Sequence, residues 1–183
     1  MRRLALAAAL SAASILSSPA LAQTPAPAAP AAQAPVPGLP ITDVVAWLTQ
    51  VGAQPSALQR EGDQAYVTVA DGGVTWILLF QNCTGDVCGD VQFNAVFSNA
   101  SITVDMMNRW NHERRFVKAY YSVGSDGVPV ATAQYDVILF PQLPANQLAD
   151  HATIWSGLVH EFGVHVGFFA PEGAAAPATP PTQ

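Results

Sequence analysis

Positive charge is scarce in this sequence. There are 7 Lys and Arg against 13 Asp and Glu in 183 residues, and charged side chains of both signs make up only 11% of the chain. So few cations cannot neutralise a phosphate backbone or cling to an anionic lipid surface, which excludes nucleic acid as a partner class. Cysteine is almost missing, with two residues. Two thiols do not make a four-ligand zinc site, and there is no second Cys pair to complete one, so no metal is expected. Every apolar stretch inside the domain is broken well before the about 20 residues that a membrane-spanning helix requires. A G-x-S-x-G elbow and a phosphate-cradling Gly-rich loop are also lacking, so neither nucleophilic hydrolysis nor nucleotide binding has a signature, and no cofactor is expected. Internal repeats are absent.

The two ends of the chain have a clear character. Arg2 and Arg3 precede an apolar run from Leu4 to Leu16, and Ala20-Leu21-Ala22 sets small residues at a cleavage boundary. That is the pattern of a secretory signal peptide over residues 1–22, cut before Gln23. The mature protein is therefore expected in the periplasm or outside the cell, and with no Cys after the cut no lipoprotein anchor is expected. Loss of Arg2 and Arg3 takes the basic count from 7 to 5 against 13 acidic residues, a net charge of −8. Residues 23–40 are almost wholly Ala, Pro and Gln and read as a linker; residues 170–183 read as a disordered tail of similar composition. The domain lies between them, over residues 41–169, a size that supports one hydrophobic core.

Cys83 and Cys88 flank Thr84-Gly85-Asp86-Val87, a turn-forming stretch. In an oxidising compartment two such neighbours are expected to pair, and closing so short a loop contributes about 2 kcal/mol. Free thiols and a redox dithiol are the competing readings. Redox pairs favour a two-residue spacing at a helix start, which is not met here.

Hydrophobic periodicity predicts an α+β fold. A helix is expected over Ile41–Val51, with Thr42 as its cap and Val44, Trp47, Leu48 and Val51 on one face. Tyr66–Ala70 alternates as a strand. Asp71-Gly72-Gly73 is a hairpin turn, and the near-continuous apolar run Val74–Phe80 suggests a strand buried on both faces. Val91–Phe97 alternates cleanly. A second helix is expected over Thr103–His112, then strands over Phe116–Val123 and Val128–Phe140. A final helix from Ala145 to Phe169 carries an apolar stripe of Leu148, Ala152, Trp155, Val159, Phe162, Val166 and Phe169. The order is α-β-β-β-α-β-β-α, an antiparallel sheet of about five strands with three helices packed on it.

Few residues suggest chemistry. His160-Glu161-Phe162-Gly163-Val164-His165 nearly matches H-E-x-x-H, but histidines five apart lie about 140° around a helix and cannot share one ion. Both are expected to be solvated helix residues. His151 and Ser156 have the same unfavourable spacing. The unusual segment is Asn108-Arg109-Trp110-Asn111-His112-Glu113-Arg114-Arg115-Phe116-Val117-Lys118-Ala119, which holds four of the five basic residues of the mature chain. Arg109, Arg114, Arg115 and Lys118 are candidate binding residues for an anion or an acidic partner. The alternative is that they pair with surface carboxylates and helix-end carbonyls. Trp110 and Phe116 are expected in the core, with Arg115 projecting outward beside Arg109.

That segment resembles the N-x-W-N…R-F-x-K-A signature of the YbjN family: Asn108-x-Trp110-Asn111 matches in full, followed by Arg115-Phe116 and Lys118-Ala119. The resemblance covers roughly residues 41–169, and the cysteine loop between two strands is similar to the exported, cysteine-bearing branch. Family members are described as bacterial sensory transduction regulators. The resemblance implies a compact fold similar to type III secretion chaperones, a regulatory role and no catalytic residues to carry over. The leading expectation is an exported, non-enzymatic binding or regulatory protein. Its partner would be an envelope protein, a second copy in a homodimer, or a small ligand. A hydrolase built from scattered residues is the alternative; converging Asp, Glu or His in a deep pocket would mark it.

Overall fold

The computed structural model describes residues 37–171. The expected signal peptide, most of the linker and nearly all of the tail lie outside the described residues. Leu39–Pro40, at the linker's end, form a short strand, β1. They lie in antiparallel register with Cys88 and Val87.

Helix α1 spans Ile41–Gln50 and buries Ile41, Val44, Trp47 and Leu48. Thr42 does not cap it. The Ile41 N–H finds its acceptor outside the helix, on the Asp86 carbonyl at 2.8 Å. Gly52 N–H reaches the Thr49 carbonyl and Ala53 N–H the Leu48 carbonyl, a Schellman ending that matches the Gly after the last helical turn. Val51 falls outside the buried face and is exposed.

Strands β2 (Gln54–Pro55), β3 (Gln59–Glu61), β4 (Gln64–Asp71), β5 (Val74–Thr84) and β6 (Val87–Ser98) follow. Helix α2 covers Val104–Glu113, then β7 Lys118–Val123, β8 Pro129–Ile138, a 3-10 turn Ala145–Leu148 and helix α3 Ala149–His165. The five strands expected from alternation are β4 to β8. The sheet has eight because β1, β2 and β3 add to it. At two or three residues each, those strands are too short to carry an alternating pattern. The path is β2-β4-β5-β6-β8-β7, with β3 beside β4 and β1 beside β6, antiparallel throughout.

The β4–β5 hairpin turns at Gly72 and Gly73, both at positive φ (55° and 85°), the conformation that makes a two-residue turn match the strand twist. Strand β5 is not buried on both faces. Val74, Trp76, Leu78 and Phe80 are buried, whereas Ile77 and Leu79 are half-exposed. Burial alternates in the same way along β4 and β6, so the helices cover one face of a single-layered sheet. Trp76, Phe93 and Trp155 meet at centroid distances of 5.3 to 6.0 Å and tie sheet to α3. The apolar stripe of α3 is buried at Leu148, Trp155, Val159, Phe162 and Val166, and half-buried at Ala152 and Phe169. The helix stops earlier than expected. Gly167 takes φ 74°, and the bonds Phe168 N–H to Gly163 carbonyl and Gly167 N–H to Val164 carbonyl close it.

Candidate functional site

The basic segment occupies the end of α2 and the bend that leads into β7. Thr103 begins the helix, its Oγ1 accepting a hydrogen bond from Met106 N–H at 3.3 Å. Trp110 is buried, and its indole N–H donates to the Val117 carbonyl at 2.9 Å. Next to it, Asn111 grips the edge of β7: its Nδ2 donates to the Ala119 carbonyl at 2.8 Å, and its Oδ1 accepts from Ala119 N–H at 2.9 Å. The amide side chain thus stands where a neighbouring strand would, closing an edge that otherwise offers unpaired donors and acceptors.

Two of the four basic side chains belong to this lock. Lys118 Nζ donates to the Arg114 carbonyl at 3.1 Å, satisfying a helix-end acceptor. Arg114 Nε lies 3.1 Å from Glu161 Oε2 on α3, with its guanidinium 5.4 Å from the centre of the Trp110 ring. Arg109 and Arg115 differ. Both are exposed, and neither makes a hydrogen bond or ion pair with the described residues. The Arg115 guanidinium lies 5.3 Å over the ring of Phe116.

Phe116 corrects an expectation. It is 44% exposed, and Val117, fully buried, takes the core position instead. The strand begins at Lys118, so the alternation of inward side chains runs through Val117 and Ala119; Arg114 and Phe116 precede it and share no strand face. The indole bond to the Val117 carbonyl holds that register.

A cavity of about 500 Å³ lies against this segment, lined by Trp110, Arg114, His160, Glu161, Val164 and His165 among others. His160 is exposed and stacks on Phe169 at 4.7 Å, 25° from parallel. His165 is not a solvated residue: it is half-buried, and its Nε2 lies 2.8 Å from the Met106 carbonyl, linking α3 to α2. Helical spacing alone gave no sign of α2 as its neighbour. Among the described residues no group of three or more His, Cys, Asp or Glu is placed to hold a metal ion. His151 and Ser156 serve separate partners: His151 Nδ1 shares a hydrogen bond with Tyr135 Oη at 2.7 Å, and Ser156 Oγ donates to Asp71 Oδ2 at 2.9 Å. Burial holds the Tyr135 hydroxyl above its usual pKa of 10.0. Tyr66 is also raised, chiefly by its hydrogen bond to Glu61.

Cys83 and Cys88 form a disulfide across paired positions of the β5–β6 hairpin. Cys88 is buried and Cys83 exposed. At the tip of the same hairpin Asp86 takes an ion pair from Arg60.

No curated protein sequence matches the chain. Among solved structures it is similar to YbjN, "a putative transcription regulator from E. coli", at 11% identity and a TM-score of 0.48, over 67% of this chain and 85% of that one. The family model YbjN, described as "Putative bacterial sensory transduction regulator", matches residues 40–168. That match spans β1 to the end of α3 and includes the whole Trp110–Asn111–Lys118–Ala119 lock, so this chain belongs to the YbjN family.

Proposed function

We propose that this protein is an exported, non-enzymatic regulator that acts by binding an acidic partner in the bacterial envelope through the exposed cations Arg109 and Arg115. The observation that carries this reading is the division of labour within the basic segment. Arg114 and Lys118 are spent on Glu161 and a helix-end carbonyl, while Arg109 and Arg115 stay exposed without a carboxylate partner among the described residues. On a mature chain that would carry a net charge of −8, two exposed guanidinium groups without carboxylate partners attract acidic groups. The signal-like N-terminus supports the envelope setting, and the family description supports a regulatory outcome.

Charge reversal tests it. Arg109→Glu combined with Arg115→Glu is expected to leave thermal stability within about 0.5 kcal/mol of the parent, since exposed residues without partners contribute little. The same change is expected to abolish capture of the partner from envelope extracts, and capture by the parent should weaken steeply with added salt. Capture unchanged by the double reversal would sink the binding site; a large loss of stability would make the pair structural. Intact-mass measurement of the secreted form tests export separately: a chain starting at Gln23 is expected, and a form retaining Met1 refutes it.

A further inference from the structure

A second cavity, of about 410 Å³, lies among the end of α1, the β4–β5 turn and the start of α3. Trp47, Trp76 and Trp155, three of the four tryptophans of the chain, line it and are buried. Asp71 and Ser156 are exposed and stand at its mouth, Ser156 Oγ donating to Asp71 Oδ2 at 2.9 Å. Asp71 Oδ1 accepts no hydrogen bond from the described residues. Asp71 is the one charged side chain in the lining, and no Lys, Arg or His contributes. The indole Nε1 atoms of Trp76 and Trp155 are buried, and neither has an acceptor among the described residues. Sealed donors without partners are rare in folded proteins, and these two are closed off from the cavity as well as from solvent.

We propose that this cavity binds a small organic ammonium compound, with its apolar body on the tryptophan-lined floor and its protonated amine on Asp71. Charge decides the class. A carboxylate with no cation nearby repels an anionic ligand and is left unpaired by a neutral one, whereas an ammonium group uses its free oxygen. The net charge of −6 raises the local concentration of cations before any contact is made. The volume suits a compact molecule. This site is separate from the basic segment and stands or falls independently of it.

Tryptophan fluorescence and calorimetry on the full chain test the proposal with three probes of one shape: phenethylammonium, 2-phenylethanol and 3-phenylpropanoate. Phenethylammonium is expected to bind and change the fluorescence, with 3-phenylpropanoate weaker by about tenfold or more. Asp71→Asn is expected to cost phenethylammonium about the same factor; Asp71 is exposed at the end of β4, so this variant keeps the fold and the test. Ala152→Phe, which fills the cavity, is expected to remove binding while circular dichroism stays native. Equal affinity for amine and carboxylate, or unchanged affinity in Asp71→Asn, overturns the proposal. So does binding that survives in Ala152→Phe, or failure of all three probes to bind at millimolar concentration.

Discussion

Asn111 uses both ends of its amide on Ala119, and that makes it the most constrained polar residue of the basic segment. Ala119 is buried, so removing the amide strands one donor and one acceptor away from water. Asn111→Ala is expected to destabilise the domain by about 1–3 kcal/mol. Asn111→Asp keeps an acceptor for Ala119 N–H but turns a carboxylate oxygen towards the Ala119 carbonyl. The introduced carboxyl is then held above its unfolded pKa, so the variant is least impaired below the ordinary carboxyl range and loses stability as pH rises through its folded value. Urea unfolding at pH 4 and pH 7 checks both; an Asp variant as stable as the parent at pH 7 would refute the strand-mimic role. The family signature is thereby explained physically at Trp110, Asn111, Lys118 and Ala119. Phe116, in the same signature, is exposed, and only its contact with Arg115 and a 6.2 Å ring pair with Tyr135 account for it.

At the scale of elements, the glycines of α3 separate helix propensity from packing. Gly157 is exposed, and a Cβ there would meet nothing within 4 Å. At Gly163 the same Cβ would lie 2.6 Å from Phe169 Cδ2 and 3.4 Å from Phe97 Cε1. Gly157→Ala is therefore expected to stabilise by about 1 kcal/mol, the ordinary gain of Ala over Gly in a helix. Gly163→Ala gains the same propensity but must push Phe169 from its seat and from its stack on His160, for a net loss of about 1 kcal/mol. Thermal midpoints of the two variants should move in opposite directions; movement in the same direction would mean that Phe169 yields without cost. Nothing in the structure accounts for Gly157 itself.

For the whole molecule, the disulfide closes the β5–β6 hairpin beside β1, where the described domain begins. Replacing Cys83 and Cys88 by Ser is expected to lower stability by about 2 kcal/mol, the loop-closure entropy of so short a ring. Chemical denaturation of the variant, with non-reduced peptide mapping of the parent, checks this. A parent whose two thiols alkylate fully without reductant would refute it.

Much of this architecture could be read in advance, and the reason is periodicity. Alternation of two and steps of three and four are properties of the covalent chain, so strands β4 to β8, the three helices and the stripe of α3 were legible before any contact was known. The turn at Gly72-Gly73 was legible because backbone conformation there depends on the residue itself, whereas periodicity carried α3 past Gly167, where the helix in fact closes. Other features depend on which segments meet. Two-residue strands such as β1 and β2 exist only through their partners in β6 and β4. The exchange of Phe116 for Val117 in the core follows from an indole bond seven residues away. Whether a cation is spent or free was equally out of reach: the partner of Arg114 is Glu161, 47 residues on, and that of His165 is a carbonyl 59 residues back. The cavity beneath Asp71 joins tryptophans from α1, β5 and α3, and no local pattern in a linear chain records that meeting.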